Sequence, residues 1–385
     1  MNVKKLLLLA VVCVLALALF GCGGDDTTTT TVIDSNDDTG EVAEGLRIAI
    51  VTSPSGVDDG SFNQNNYEGI LSFIDSHPDS TVDAIRETDM ANSVQAVEDI
   101  VGNYDVIVTP GFQFAGITDI ARANPDKYFI LVDAWPADPD NPDDTIEVSN
   151  IYAMTFAEQE SGFFAGIAAA METVTGKVGF IGGIAIPPVV NYQFGFESGV
   201  NYANAHLGTD VEMIAIPSYA GTDVTGTDVG GNYVNDFVDE ATGKQVAEAL
   251  INEGVDVIFV AAGGSGNGAF TAVKEADGVL VIGCDVDQFN DGVNGDDNIV
   301  LTSALKVMDI NVERQLENIY NGSFTGGNYN LQADTGSTGF VYESNHQLSD
   351  ATLEELAKAF ELVKLGDIVP ASNFNGSAPD DFVGL

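Results

Sequence analysis

The sequence has little positive charge. Only 13 Lys and Arg residues stand against 59 Asp and Glu residues in a chain of 385, so the formal net charge at pH 7 is −46. Proteins bind nucleic acids through clustered Lys and Arg that displace condensed counterions, and so negative a surface repels phosphate groups and anionic lipid head groups. The composition therefore predicts no nucleic-acid partner. It also suggests the hypothesis of adaptation to high salt, where ions screen the self-repulsion.

Cys and His are scarce as well. Cys13 and Cys22 lie near the N-terminus, so only Cys284 remains in the body, and we expect no disulfide there. Cys284 belongs to an apolar run, which predicts a buried and inert thiol. The His residues stand singly at positions 77, 206 and 346, an arrangement that does not suit a zinc site. No nucleophile elbow or phosphate-binding loop occurs, and we expect neither enzymatic activity nor a cofactor.

The one long apolar run lies near the N-terminus, over residues 6–20. Lys4 and Lys5 precede it, and Gly21 and Cys22 follow it. A helix that spans a bilayer needs about 20 residues, so this shorter run indicates a secretory signal. The segment resembles the leader of bacterial lipoproteins, which implies a signal peptide over residues 1–21 and a lipid on Cys22. A plain signal peptide, or an uncut signal anchor, is the alternative.

Residues 22–45 are polar, acidic and of low complexity. Such a composition predicts a disordered tether between a membrane and a folded body. Together with the lipid on Cys22, the tether implies a protein anchored to the cell membrane and facing the periplasm or the cell exterior.

From residue 46 onward, short apolar runs rich in β-branched residues alternate with segments typical of helices. The runs are predicted to be buried parallel strands, and they cover residues 46–52, 105–110, 128–133, 176–183, 211–217, 255–264 and 278–285. An alternation of strand and helix indicates an α/β fold with doubly wound sheets. Seven strands over this length suit two lobes better than one. Ligands of such sheets bind at the loops that follow the strands.

The residues after the strands carry acids, an Asn, glycines and aromatic rings, with one Lys. One of these loops, GSGNGA at 264–269, imitates a dinucleotide fingerprint, and Asp285 follows it at a suitable distance. Taken alone, it would suggest an oxidoreductase that uses NAD. The motif lies in mid-chain, however, and no catalytic His or Cys accompanies it, so we favour glycines that let the backbone approach a sugar.

Eight segments of the body resemble the basic membrane protein family, which includes purine nucleoside receptor lipoproteins of ABC importers. In chain order they read VDDGSFNQNNYEGI, VTPGFQF, NPDKYFILVD, FAEQESGFFAGIAAAMETVTGKVGFIGG, FGFESGVNYAN, GVDVIFVAAGGSGNGAF, IGCDVDQ and LTSALK. The resemblance implies a type I periplasmic-binding-protein fold, in which two Rossmann-like lobes are joined by three crossovers and close on a ligand. We place the crossovers near residues 150–156, 285 and 324–331. The N-terminal lobe would then hold residues 46–153 and 286–325, and the C-terminal lobe would hold residues 154–285 and 326–385.

The resemblance also implies the ligand-binding residues. These are Asp59, Phe62, Asn63, Asp133, Phe237, Gly263, Gly264, Asp285 and Lys306. The two Phe rings would sandwich a purine, and Asn63 and Asp133 would bind its polar edge. Gly263 or Gly264, together with Asp285 and Lys306, would hold the ribose, with Lys306 also neutralising Asp285.

Two of these assignments have alternatives. A Gly- and Asp-rich insertion precedes Phe237, so Tyr233 or Tyr219 could form the second face of the base clamp. Asp59 could instead cap the helix that begins near Asn63, which is a common use of Asp.

The resemblance implies a binding protein that performs no chemistry. It would be a monomeric lipoprotein that captures a purine nucleoside and delivers it to the permease and ATPase of an ABC importer. A surface lipoprotein of the same fold that acts in adhesion or sensing is the alternative, and so is a different neutral solute such as a sugar.

Overall fold

The structure is a computed structural model that describes residues 45–385. The predicted signal peptide, the lipidation of Cys22 and the tether lie outside the described residues, apart from the last residue of the tether. No helix in the described range is both long and apolar enough to cross a membrane.

The β-branched runs form strands as their composition predicts. In the first part of the body the strands are β1 (Arg47–Thr52), β2 (Thr81–Arg86), β3 (Val106–Pro110), β4 (Tyr128–Val132), β5 (Ala137–Asp138), β6 (Asn141–Thr145) and β7 (Ile151–Phe156). The following strands are β8 (Lys177–Gly182), β9 (Glu212–Ile214), β10 (Gly221–Thr222), β11 (Asp228–Gly230), β12 (Val257–Ala261) and β13 (Leu280–Asp285). The chain continues with β14 (Val293–Asn294), β15 (Asp297–Asn298), β16 (Val300–Lys306), β17 (Gly327–Leu331) and β18 (Thr338–Phe340).

The helices follow the amphipathic segments between these strands. They are α1 (Phe62–Ser76), α2 (Ser93–Ile100), α3 (Thr118–Ala123), α4 (Glu158–Glu172), α5 (Pro187–Tyr202), α6 (Glu240–Asn252), α7 (Gly266–Lys274), α8 (Asp309–Tyr320) and α9 (Asp350–Leu365). Helix α9 shows how local sequence sets the boundaries. The Ser349 side chain accepts a hydrogen bond from the Thr352 backbone N–H at its start, and Gly366 ends it with a φ of 74°.

The first lobe is built on a parallel sheet with the strand order β17-β7-β4-β3-β1-β2. Helices cover both of its faces. Ile70 of α1 and Val312 of α8 are buried against one face, while Val97 of α2 and Ala121 of α3 are buried against the other. A sheet covered on both faces explains why its central strands are continuous apolar runs.

The second lobe is built on a sheet with the strand order β18-β16-β13-β12-β8-β9. Its strands are parallel except for β18, which runs antiparallel to β16. Helices α4, α5 and α9 pack on one face and helices α6 and α7 on the other. The two sheets confirm the predicted fold class, with Rossmann-like lobes of parallel strands.

The crossovers differ from two of the expected positions. The first joins β7 to α4, close to the expected one. The second comes after Lys306 and not near Asp285, because β16 pairs with β13 in the second sheet, and only then does α8 pack beside α1 in the first lobe. The third lies between β17 and β18 and not at residues 324–331, since β17 pairs with β7. Residues 286–306 therefore belong with the second sheet. In the segment between β13 and β16, β14 and β15 pair as a small antiparallel hairpin.

Candidate ligand-binding cleft

A cleft lies at the carboxyl ends of strands from both sheets. Its empty volume is about 980 Å³, counting the part that opens to solvent, which is the range of small-molecule pockets. Eight of the nine predicted binding residues line it, namely Asp59, Phe62, Asn63, Asp133, Phe237, Gly263, Asp285 and Lys306. The topology thus brings together side chains that are far apart in sequence.

Asp59 and Asn63 form a hydrogen-bonded unit at the start of α1. The Asp59 carboxylate accepts hydrogen bonds from the backbone N–H groups of Ser61, Asn63 and Gln64, and from Asn63 Nδ2 at 2.8 Å. Burial raises the pKa of Asp59, although these donors oppose the rise. Both Asp59 oxygens already have protein donors, so its geometry is that of the alternative helix-capping role.

The same unit fixes the orientation of the Asn63 amide. Asn63 Nδ2 donates to Asp59 and also to Ser53 Oγ at 3.0 Å. Asn63 Oδ1 is buried and has no hydrogen-bond partner in the protein. The orientation leaves an acceptor, and not a donor, available in the cleft wall.

Lys306 is the centre of the cleft's electrostatics. Its Nζ lies 2.5 Å from Asp133 Oδ2 and 3.0 Å from Glu158 Oε1, and the lysine side chain is 2% exposed. The Nζ also lies 5.1 Å from the ring centroid of Phe62 and 5.2 Å from that of Phe156, within the range of cation–π attraction. Burial opposes the charge on Lys306, but the neighbouring carboxylates raise its pKa. The ammonium therefore stays charged.

Asp133 follows β4 in a left-handed backbone conformation with a φ of 63°. A non-glycine residue in this region costs free energy, and such residues cluster at functional sites. Its Oδ2 binds Lys306, whereas its Oδ1 is buried and has no partner in the protein. Burial raises the pKa of Asp133 to about 7; the Lys306 ammonium opposes this rise, and the charges of Glu158 and Asp285 add to it.

Asp285 ends β13 and is left-handed too, with a φ of 67°. Its Oδ2 accepts a hydrogen bond from Ser61 Oγ at 2.7 Å, and its Oδ1 accepts one from Tyr192 OH at 3.0 Å. Ser61 comes from the first lobe and Tyr192 from the second, so this carboxylate links the two lobes. Lys306 was expected to neutralise Asp285, but its ammonium forms ion pairs with Asp133 and Glu158, and Asp285 acts on it only through its charge.

The four aromatic residues considered for the base clamp differ in whether they line the cleft. Phe62 and Phe237 both line the cleft, from the first and the second lobe respectively. Tyr233 is fully buried, and its OH donates to Gln193 Oε1 at 2.5 Å. Tyr219 packs on the core between the second sheet and α6 and α7, and it does not line the cleft. Among the described residues, Phe237 is thus better placed than either Tyr for the second face of the clamp.

Gly263 and Gly264 lie directly against Phe237. A Cβ atom on Gly263, whose φ is 52°, would approach the Phe237 ring to 3.4 Å, and one on Gly264 would lie 3.0 Å from the Phe237 backbone oxygen. Gly264 itself does not line the cleft. These glycines therefore give the Phe237 segment the space to pack beside the cleft.

Three residues in or next to the cleft were not predicted from the sequence, namely Glu158, Tyr192 and Phe112. Tyr192 and Phe112 line the cleft, and Phe112 packs against cores of both lobes. Glu158 lies in the polar first turn of α4, ahead of the apolar residues 162–171, and it is 2% exposed. Acids directly before so apolar a stretch were the available signal, since a buried carboxylate needs a partner.

Comparison with known proteins places the chain in a family. The profile of the Bmp family, described as "ABC transporter substrate-binding protein PnrA-like", matches residues 47–216 and 226–370. The chain belongs to this family. The unmatched residues 217–225 fall at the insertion that precedes Phe237. Bmp proteins bind substrates and are not enzymes. They work outside the cytoplasm, in association with the membrane and with the permease and ATPase of an ABC transporter.

Individual Bmp relatives are similar over most of their length. The chain is 30% identical to the CD4+ T-cell-stimulating antigen of Listeria monocytogenes over 83% of this chain and 87% of the relative. It is also 30% identical to the ABC transporter nucleoside-binding protein BmpA of Lactococcus lactis, over 78% and 83% respectively. A solute-binding protein from Aeropyrum pernix shares the fold, with a TM-score of 0.71, 22% identity and coverage of 86% of this chain and 94% of that one.

Proposed function

We propose that the chain captures a purine nucleoside in the cleft and delivers it to the permease and ATPase. The observation that carries the proposal is the convergence of two Phe rings, two unpartnered acceptors and one buried Lys on one cleft. Stacking on an aromatic ring contributes about 1–3 kcal/mol per base. Asn63 Oδ1 and Asp133 Oδ1 would accept hydrogen bonds from the base edge. The name of the Lactococcus lactis relative supports this ligand class.

The charges of the cleft favour a neutral ligand. Asp133, Glu158 and Asp285 lie around a single ammonium, that of Lys306. A phosphate group would enter a site that already has an excess of negative charge, and like charges within a low-dielectric cleft repel strongly. We therefore propose that nucleosides bind and nucleotides do not.

The attachment and the state of assembly also belong to this proposal. A lipid on Cys22 would hold the chain at the cell membrane, and the two lobes would work as a monomer. The acidic segment after Cys22 would keep the binding lobes clear of the lipid surface.

Titration calorimetry on the protein from residue 45 onward tests the ligand class. We expect inosine, guanosine or adenosine to bind with a micromolar or lower Kd, about −8 kcal/mol, whereas ribose and inosine monophosphate give no heat. Absence of binding heat with all three nucleosides would overturn the ligand assignment. Binding of a free sugar would establish the alternative solute.

The fluorescence of Trp135 gives a second readout. Trp135 is two residues from Asp133 in sequence but does not line the cleft, and its Nε1 lies 3.5 Å from the backbone oxygen of Tyr329 in β17. Since β17 leads into the third crossover, we expect Trp135 emission to change when the lobes close, not by contact with a ligand. A change with nucleosides and none with ribose would agree with calorimetry.

A further inference from the structure

Glu158 holds the ammonium of Lys306 from behind the cleft. Its Oε1 lies 3.0 Å from Lys306 Nζ, while its Oε2 accepts a hydrogen bond from Asn191 Nδ2 at 3.0 Å. Asn191 Oδ1 in turn accepts one from the Asn373 backbone N–H. The Asn191 amide is therefore oriented, and both Glu158 oxygens are in use. Because Glu158 does not line the cleft, it would not touch a ligand itself and can act on one only through Lys306 or through its charge.

The turn that carries Glu158 also ties the crossovers together. The Ala157 backbone N–H donates to Leu331 O, and Ser161 Oγ donates to Leu305 O at 2.7 Å. Glu160 Oε2 accepts hydrogen bonds from Ala333 N at 2.8 Å and Thr338 Oγ1 at 2.6 Å. Residues 157–161 thus contact the segments of all three crossovers. The position of Lys306, at the end of β16, is fixed to this turn by Glu158.

We infer that Glu158 is a positioning residue for Lys306, and that its charge sets the pH range in which the cleft binds its ligand. The second part rests on the proposed function. The charged groups that face Asp133 are Lys306 from β16, Glu158 from α4 and Asp285 from β13. Glu160, two residues along α4, is a further buried acid whose pKa is raised by burial and, to a smaller extent, by the charge of Glu158. One ammonium thus serves three carboxylates, and the charge on Glu158 favours a proton on Asp133.

The effect on binding has a definite sign. A protonated Asp133 loses an acceptor, so the affinity of a ligand that donates a hydrogen bond to it falls as the pH drops through about 7, the pKa of Asp133. Burial is the main cause of this raised pKa and the charge of Glu158 adds to it, so in Glu158→Gln the pKa of Asp133 is lower and the fall in affinity moves to lower pH. At alkaline pH the same variant binds inosine roughly tenfold more weakly, because a neutral amide oxygen holds the Lys306 ammonium less tightly than the carboxylate does.

Glu160→Gln is the matched control. It removes a buried carboxylate from the same turn, one that also accepts two hydrogen bonds but does not contact Lys306. Calorimetry with inosine across the pH range should give weaker binding and a lower pH midpoint in Glu158→Gln only. An unshifted midpoint in Glu158→Gln, or the same shift in Glu160→Gln, would show that Glu158 has no special link to the site.

Two further measurements keep the inference separate from the proposed function and from folding defects. Carboxyl-carbon NMR titration of the ligand-free protein should show a lower Asp133 pKa in Glu158→Gln, whether or not nucleosides bind. If Glu158→Gln does not fold, Glu158→Asp replaces it. We expect the shorter acid to keep the pH midpoint near that of the wild type and to weaken binding several-fold. Unchanged affinity in Glu158→Asp would contradict the positioning role.

Discussion

Lys306→Met is expected to abolish binding of the proposed ligand and to lower the free energy of unfolding by about 3–5 kcal/mol near pH 8. Methionine keeps most of the length of the side chain but removes the ammonium. Asp133 and Glu158 would then be left as buried charges without a cation, at sites where their side chains are 8% and 2% exposed. An unpaired buried charge is far costlier than a missing contact.

Lys358→Met provides a matched control for this prediction. Lys358 also contacts two carboxylates, Glu354 at 2.9 Å and Glu355 at 2.8 Å, but it lies on the exposed side of α9. Exposed ion pairs contribute little to stability, so chemical denaturation should detect almost no change. Equal losses in the two lysine variants would mean that burial of the Lys306 cluster has no energetic consequence.

The penalty in Lys306→Met should itself depend on pH. Lys306 lowers the pKa of Asp133, which is about 7 with the ammonium present, so without the ammonium Asp133 takes up a proton at a higher pH, and the unpaired charge is relieved as the pH falls. Adding Asp133→Asn to Lys306→Met should recover part of the lost stability near pH 8. A double variant no more stable than the single one would contradict this account.

The unliganded protein is expected to become more stable as the pH falls from about 8 to about 5. Burial raises the pKa of Glu160 to about 6 and the pKa values of Asp133 and Glu197 to about 7. In the unfolded chain these groups titrate near 4. A raised folded-state pKa means that the folded protein binds the proton more tightly. The stabilisation is complete below about pH 4 and is lost as the pH rises through about 6 to 7.

Two other contributions to the pH dependence of stability must be separated from that of the buried carboxylates. Arg47 lowers the pKa of Asp105 by a hydrogen bond, which works in the other direction but at a more exposed site. The net charge of −46 also destabilises the fold at high pH through self-repulsion. Salt at about 1 M screens that surface repulsion over distances beyond about 3 Å, but it screens buried carboxylates much less.

Melting temperatures on a grid of pH and salt therefore distinguish the two sources. The part of the pH dependence that is due to surface charge repulsion should vanish in concentrated KCl. If the acidity is an adaptation to high salt, KCl should also raise the melting temperature at pH 8. The part due to buried carboxylates should persist as a rise of several degrees on acidification. A melting temperature that falls steadily below pH 7 at high salt would contradict the raised pKa values.

The sequence predicted the architecture well because the strands are buried on both faces. Their continuous apolar runs gave β1, β3, β4, β8, β12 and β13 directly. The run at 211–217 also gave the edge strand β9, whose residues are exposed or half-buried. The edge strand β2 has mostly exposed or half-buried residues and lacked that signal. The second crossover was predicted too early, near Asp285, because a strand ends there and a loop follows, which is also the pattern expected at a crossover. Only the pairing of β16 with β13 shows that the chain stays in the second lobe.

Most of the residues that line the centre of the cleft were predicted, but their pairing was not. The resemblance gave the cleft residues, yet nothing in local sequence shows that Lys306 binds Asp133, 173 residues away, in preference to Asp285. Partner choice depends on backbone conformation: the left-handed turns at Asp133 and Asp285 direct the two carboxylates to different neighbours. Asp can adopt this backbone conformation, but the presence of an Asp in the sequence does not predict it.

The hydrogen bonds of Asp285 bear on which sugars the cleft would accept. Ser61 and Tyr192 each donate to one oxygen of this carboxylate, and because a carboxylate oxygen can accept two hydrogen bonds, each oxygen keeps one acceptor position for an incoming hydroxyl. Loss of one hydroxyl, as in a deoxynucleoside, would leave such a position empty, but Ser61 and Tyr192 would still give each oxygen a donor. Discrimination between ribose and deoxyribose at Asp285 should accordingly be weak, and the uptake proposed for this chain would extend to products of DNA breakdown as well as RNA.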